Sequence, residues 1–186
     1  MKKTLFLLLL LNGIFLSKAQ EFTTYTWENG KTKAMNRNKI NSEWLFSKIN
    51  RMEFVLTHTE DFSTGFDITA TEYSIDWGDG TLDNDTNTHV YLSGGPFTVY
   101  VYSKTMTRFE FGIGFAVGNP YLTEFKQIGK LGLTDIDNMF YNCKKVTSIN
   151  ISIPNTVTSM DSTFRDAWEL LSLNLSGSNT SNVTVM

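Results

Sequence analysis

The sequence predicts a mainly β chain with short helices: a small antiparallel sandwich followed by a short solenoid of sequence repeats. Three observations carry that expectation. Between Met52 and Tyr102, runs with period-two apolar alternation are separated by glycine-rich turn signals. From Leu133 onward, two stretches of the chain align with each other without a gap. The third is compositional: 186 residues with 41% apolar content and one cysteine form one or two small domains held by packing, not by disulfides.

The N-terminus, MKKTLFLLLLLNGIFLSKAQ, begins with Lys2 and Lys3, runs apolar from Leu5 to Leu11 and on to Leu16, and ends in the small residues Ser17 and Ala19. That is the pattern of a secretory signal peptide over residues 1–19, with cleavage expected after Ala19. Asn12, Gly13 and Lys18 interrupt a run already short of the roughly 20 apolar residues that cross a bilayer, so no membrane span is expected after cleavage. No cysteine stands near the cleavage site to carry a lipid anchor. The expected location is therefore secreted or cell-surface. Removing residues 1–19 deletes three Lys and no acid, so the formal charge moves from −3 to 13 − 19 = −6. An acidic balance of this size argues against nucleic acid as a partner, because phosphates need a basic surface.

Residues 20–50 are sparse in signals. FTTYTW fits a strand, and INSEWLFSKI places Ile40, Trp44, Leu45 and Ile49 at helical spacing.

Residues 51–104 carry the sandwich expectation, with strands at Met52–Thr57, Tyr73–Trp77 and Phe97–Tyr102. Alternation puts Tyr73, Ile75 and Trp77 on one strand face and Phe97, Val99 and Val101 on another, so Trp77 is expected in the core. Gly78-Asp79-Gly80 and Gly94-Gly95-Pro96 supply the turns.

Residues 105–186 carry the repeats. LTDIDNMFYNCKKVTSINIS (133–152) lies over VTSMDSTFRDAWELLSLNLS (157–176), matching Ile136 to Met160, Phe140 to Phe164, Cys143 to Ala167, Val146 to Leu170, Ile149 to Leu173 and Ile151 to Leu175. The period is 160 − 136 = 24. Val183 to Met186 opens a third copy, so the solenoid is read as truncated inside a repeat, with an apolar end expected to fray or self-associate. Within each copy the first half spaces its apolar residues i, i+4, i+7, which predicts a short helix capped by Thr134 or Thr158. The second half, V-x-x-I-x-I or L-x-x-L-x-L, predicts a strand. Met106, Phe109 and Phe111 fit the strand template, and Leu122 and Phe125 fit it in part, which gives four stacked strands in all. One helical turn and one strand in every copy is a leucine-rich-repeat-like pattern.

Two resemblances sharpen these readings. Asp76-Trp77-Gly78-Asp79-Gly80, then His89 and Tyr91, then Gly95, Phe97, Val99 and Val101, resemble the second half of a PKD (polycystic kidney disease) domain. That resemblance implies an immunoglobulin-like β-sandwich serving as an extracellular spacer or binding module. Met139-Phe140, Cys143, and Thr180-Ser181-Asn182-Val183-Thr184 with Met186 resemble the BspA-like leucine-rich-repeat surface proteins of bacteria. That one implies adhesion or protein binding without enzymatic activity. Together they give the expected architecture, an immunoglobulin-like β-sandwich followed by a short leucine-rich-repeat-like solenoid.

Asp76, Asp79, Asp83, Asp85 and His89 are the one dense polar constellation. A calcium loop does not fit it, because Thr88 stands where the template needs Gly and Gly94 where it needs the bidentate Glu. Turn chemistry explains the same letters more simply. Cys143 shares its face with Phe140 and aligns with Ala167, so a small buried core residue is expected, not a reactive thiol. No catalytic residue, metal ligand or cofactor is expected. The remaining candidates lie on a surface: Ser148, Asn150 and Ser152 alternate with the inward isoleucines, and Ser172, Asn174 and Ser176 repeat the row one copy later. Such residues are what a merely solvated strand face carries, and the outward strand face of a solenoid is also where such proteins bind. The expected function is an exported interaction or adhesion protein with a protein or glycan partner. The alternatives are a passive spacer or a fragment of a longer surface protein, and a carbohydrate-binding accessory module.

Overall fold

A computed structural model describes residues 22–26, 32–36, 50–103, 105–112 and 118–186. The signal peptide at 1–19 and the helix expected over 40–49 lie outside the described residues, as do Ile113 and Phe115, at which the alternation of Phe109 and Phe111 continues in the sequence as in a buried strand. The chain divides into two compact units, Met1–Lys48 and Ile49–Met186. In the first, β1 (Phe22–Thr26) pairs antiparallel with β2 (Thr32–Asn36), with Phe22 opposite Asn36 and Thr26 opposite Thr32.

The second unit is mainly β. Its strands are β3 (Arg51–His58), β4 (Phe62–Thr69), β5 (Ser74–Asp76), β6 (Leu82–Asn84), β7 (Thr88–Tyr91), β8 (Gly95–Tyr102), β9 (Arg108–Phe111), β10 (Leu122–Ile128), β11 (Ser148–Asn150) and β12 (Ser172–Asn174). They form a seven-stranded sheet in the order β12-β11-β10-β3-β8-β5-β6 and a three-stranded sheet in the order β7-β4-β9. Pairing is antiparallel from β10 through β6 and parallel from β10 to β12. The large sheet is therefore continuous across the boundary expected at residue 104.

Alternation decides what is buried. Met52, Phe54 and Leu56 of β3 face inward together with Val99 and Val101 of β8, and Phe66, Phe109 and Phe111 meet them from the smaller sheet. Phe54 packs edge-on against Phe66 at 5.2 Å and Phe111 at 4.8 Å between ring centres. Edge-to-face geometry adds about 0.5–1.5 kcal/mol per pair beyond the area buried. Trp77 is fully buried as expected, stacked on Phe66 at 5.4 Å and on His89 at 4.8 Å. Its indole N–H donates to Asp83 Oδ2 at 2.9 Å, and its carbonyl accepts the Tyr91 hydroxyl at 2.8 Å.

Two expectations are corrected. No helix forms among the described residues, and the i, i+4, i+7 segment is instead a run of tight turns. The N–H groups of Met139, Tyr141 and Cys143 donate to the carbonyls of Ile136, Asn138 and Phe140, and the alternate N–H groups of Asn138, Phe140 and Asn142 reach across to Asp161, Thr163 and Arg165 of the next copy. A helix would keep those donors within its own turn, whereas here every second one joins two copies. The turns need a left-handed third residue, which Asn138 (φ 57) and Asn142 (φ 55) supply, and Ser162 (φ 53) and Asp166 (φ 61) repeat them one copy later. Gly118 (φ 62) stands one full period before Asn142, and a Cβ there would meet the Tyr141 carbonyl oxygen at 2.3 Å. Glycine is required at that point.

The second correction concerns strand number. Met106, Phe109 and Phe111 fit the repeat's letters, but β9 pairs antiparallel with β4, and the parallel ladder holds three strands where four were expected. Phe111 stacks on Phe140 at 5.6 Å, and Phe140 on Phe164 at 5.7 Å. The F-x-F pair therefore belongs opposite the turns, not among the strands. Leu122 and Phe125 hold their expected places, because β10 pairs Phe125 with Ile149, and β11 pairs Ile149 with Leu173.

Truncating Trp77 to Ala would remove a fully buried ring and orphan Asp83. Trp77→Ala is expected to cost about 3–5 kcal/mol in chemical denaturation. A midpoint and slope equal to those of the unmodified chain would show that the ring does not anchor the two sheets.

Candidate functional site

The polar rows are brought together as the repeat implies. In the β11–β12 ladder Ser148 lies opposite Ser172 and Asn150 opposite Asn174, while Ile149 faces Leu173 on the other side of the sheet. The ladder extends both rows one strand further, to Glu124 beside Ser148 and Lys126 beside Asn150. The result is a three-strand face carrying Glu124, Ser148 and Ser172 in one line and Lys126, Asn150 and Asn174 in the next. Ser172, Asn174, Glu124 and Lys126 are exposed, and Ser148 and Asn150 are half-buried.

Ser152 and Ser176 behave differently from the rest of the row. The Ser152 hydroxyl donates to the Gly177 carbonyl at 3.0 Å, and its N–H donates to Gln127 Oε1 at 3.3 Å. Ser176 N–H donates to Asn174 Oδ1 at 2.9 Å, which leaves the Asn174 amide nitrogen for an outside acceptor. Ser152 thus ties its copy to the chain on either side, at Gln127 and Gly177, whereas Ser176 closes the turn that leaves its own strand. Ser148, Asn150, Ser172 and Asn174 remain as the open part of the face.

The acidic constellation is dispersed into separate structural bonds. Asp76 Oδ1 accepts the Gly78 N–H at 3.0 Å and Asp85 Oδ1 accepts the Tyr73 N–H at 3.3 Å, while Asp83 holds the Trp77 indole. Gly78 itself (φ 82) turns so close to β8 that a Cβ would meet the Thr98 carbonyl oxygen at 2.4 Å. Asp79 accepts the Thr81 N–H at 2.8 Å through Oδ1 and pairs with His89 Nε2 at 2.8 Å through Oδ2. Partial burial acts to raise the Asp79 carboxyl, but the Thr81 and His89 hydrogen bonds outweigh it and hold the group below its ordinary value. Among the described residues no cluster of three or more His, Cys, Asp or Glu is arranged to hold a metal ion.

Cys143 is fully buried in the core, and that burial pushes its thiol up to about 12, against a smaller opposing contribution from the Asn119 backbone N–H. His58, the other histidine, sits among Phe62, Tyr91, Phe97 and Tyr121 and donates through Nδ1 to the Glu60 carbonyl at 2.8 Å. Sequence reasoning missed a third feature, a line of cation–aromatic pairs on the coils. Lys144 lies 4.7 Å from the Trp168 ring, Arg165 5.7 Å from Tyr141 and Lys145 6.0 Å from Tyr121. Partners one copy apart gave the signal, since 168 − 144 = 24 and 165 − 141 = 24.

No family model, curated protein or solved structure matches this chain.

The Asp79 bonds give one test. Asp79→Ala removes the Thr81 and His89 partners and should lower stability by about 1–2 kcal/mol, while millimolar calcium leaves the melting temperature of the unmodified chain where it was. The Asp79 contribution is present above the ordinary carboxyl value of about 3.9 and is lost as acid protonates the folded form below it. A calcium-induced rise of several degrees would mean that the turn is a metal loop.

For Cys143 the sign is opposite. Ionisation favours the unfolded chain once pH passes the ordinary thiol value of about 8.5. Its contribution is therefore complete below that pH and falls as pH rises toward 12. The stability gap between the unmodified chain and Cys143→Ala should narrow on moving from neutral to alkaline pH, and a thiol reagent should label the native protein only after denaturant is added. Rapid labelling of the folded chain would contradict a buried core role.

Proposed function

We propose that this is an exported interaction protein of the cell surface or extracellular space. In this reading a leucine-rich-repeat-like solenoid presents the binding face, and an immunoglobulin-like, PKD-like sandwich holds it. The observation that carries it is the register of the ladder, in which Ser148 and Asn150 meet Ser172 and Asn174 across neighbouring strands. Short hydroxyl and amide side chains lose little rotamer entropy on binding and offer both donors and acceptors. Their repetition at the spacing of adjacent strands, about 4.8 Å, suits a partner that is itself extended and polar, a glycan chain or a peptide strand. The export pattern at residues 1–19 and the acidic charge of the remainder fit a partner met outside the cell and not nucleic acid.

The test is a pair of arrays, one of glycans and one of extracellular proteins, probed with the exported chain and with the double variant Asn150→Arg, Ser172→Arg. Two arginines on the face should weaken the ligand found by tenfold or more, about 1.4 kcal/mol, without moving the melting temperature. Binding that survives both substitutions, or no ligand on either array, would favour a passive spacer.

A further inference from the structure

We infer that the coils beside the repeat ladder carry a second binding surface, which takes an anionic polysaccharide: ammonium groups meet its carboxylates or sulfates, and tyrosine hydroxyls meet its ring oxygens. Lys144, Lys145, Tyr121 and Tyr141 form its centre, and Trp168 and Arg165 of the following copy are partners to two of them. This surface is separate from the serine and asparagine face and does not depend on the reading given for that face.

Its cation–aromatic pairs run along the array. Lys144 reaches forward to the Trp168 ring at 4.7 Å, while its neighbour Lys145 reaches back to the Tyr121 ring at 6.0 Å. Arg165 lies 5.7 Å from Tyr141. Each pair joins positions one copy apart, since 168 − 144, 145 − 121 and 165 − 141 are all 24, so the stacking of copies itself sets cation over ring. Both copies that flank the two lysines are described: the Thr147 N–H donates to the Thr123 carbonyl on one side, and the Glu169 N–H donates to the Lys144 carbonyl on the other. With those neighbours in place Lys144 and Lys145 are exposed, and Tyr121 and Tyr141 are half-buried.

The lysines are held but not spent. Glu169 stands one copy beyond Lys145 in the same row, yet none of the ion pairs among the described residues includes Lys144 or Lys145. An ammonium over a ring face has three N–H donors and commits only the side that meets the ring. The ring also restrains a long flexible stem, so less side-chain entropy is left to lose when an anion arrives. The Tyr121 and Tyr141 hydroxyls are bonded to no described residue, and each adds a donor beside a cation.

Spacing and sign select the ligand. Because Lys144 and Lys145 lean toward copies on opposite sides, their two rings lie two copies apart, about 10 Å at the strand spacing. One carboxylate or phosphate does not bridge that gap, whereas a chain bearing an anion at intervals does. From Asn138 to Met160 there are two Lys and no Asp or Glu, in a chain whose formal charge beyond residue 19 is 13 − 19 = −6, so positive charge gathers here against the overall balance. That balance disfavours nucleic acid, which rings and cations also serve elsewhere. A polysaccharide with carboxylate or sulfate groups matches both the cations and the hydroxyls.

The exported chain should be titrated with polygalacturonate, dextran sulfate, neutral dextran and oligothymidylate. It should bind at least one of the two polyanionic sugars, the tighter naming the acidic group, and that binding should weaken on the order of tenfold as salt rises from about 50 to 200 mM. The double variant Lys144→Gln, Lys145→Gln should lose on the order of tenfold or more with an unchanged melt. Tyr121→Phe with Tyr141→Phe keeps the rings and removes only the hydroxyls, and should weaken binding about threefold or more. Asn150→Arg with Ser172→Arg, on the other surface, should bind no more weakly than the unmodified chain. Failure to bind either polyanion at low salt overturns the inference, as does dextran or oligothymidylate bound equally well. Binding unmoved by the lysine or the tyrosine variants overturns it too, as does binding lost in the Asn150 and Ser172 variant.

Discussion

The fold depends on β3 being hydrogen-bonded along both of its edges. On one side it pairs with β8 from Arg51 opposite Tyr102 to His58 opposite Gly95, and on the other with β10 from Ile128 opposite Arg51 to Leu122 opposite Leu56. A strand paired on both sides cannot slip by one residue without turning Met52, Phe54 and Leu56 out of the core. Register is therefore fixed for β10, and through β10 for the parallel strands that follow it. The irregularity between Leu122 and Glu124 lies where the chain enters β10. A bulge there re-aims the strand, so that its other edge can start a parallel ladder.

Three-residue strands such as β11 and β12 supply few ladder bonds, so the repeats are joined elsewhere as well. Turn donors at Asn138, Phe140 and Asn142 cross to the next copy, and the Thr147 and Thr184 N–H groups reach back to Thr123 and Thr158. Side chains repeat the habit: Thr147 Oγ1 donates to the Thr123 carbonyl at 3.1 Å, and Thr163 Oγ1 to the Ile136 carbonyl at 2.9 Å. Each copy thus satisfies the backbone of its neighbour more than its own. The physical consequence is directional, because among the described residues the copy holding β12 has its ladder donors and apolar row matched on one side only.

This explains which parts of the structure are legible in the sequence. Period-two alternation finds β3, β5 and β8, and the gapless alignment finds the Ile149 and Leu173 register, since both signals reflect burial directly. β4 escapes because FSTGFDIT places Gly65 between Thr64 and Phe66, all three buried, so no alternation survives. The turns read as helix because i, i+4, i+7 spacing also arises from two successive tight turns with a left-handed residue in each. Asn138 and Asn142, four apart, are the letters that distinguish them. Met106, Phe109 and Phe111 match the strand template by spacing alone, and spacing does not say which strand is the partner. Of the candidate face, Ser148, Asn150, Ser172 and Asn174 are legible as an alternating row. Ser152 and Ser176 are not separable from them, because the Ser152 bonds depend on where the fold brings Gln127 and Gly177, and the Ser176 bond on how the Asn174 side chain turns back on its own backbone.

Face and edge are perpendicular resources in a sheet, since side chains stand out of its plane while backbone donors and acceptors lie within it. Asn174 shows both in one residue: its carbonyl is committed within the sheet to Ile151, yet its amide group lies exposed on the face. A ligand held by Ser148, Asn150, Ser172 and Asn174 would therefore leave the ladder from β10 to β12 untouched, and substitutions of those side chains would leave the pairing of the three strands in place.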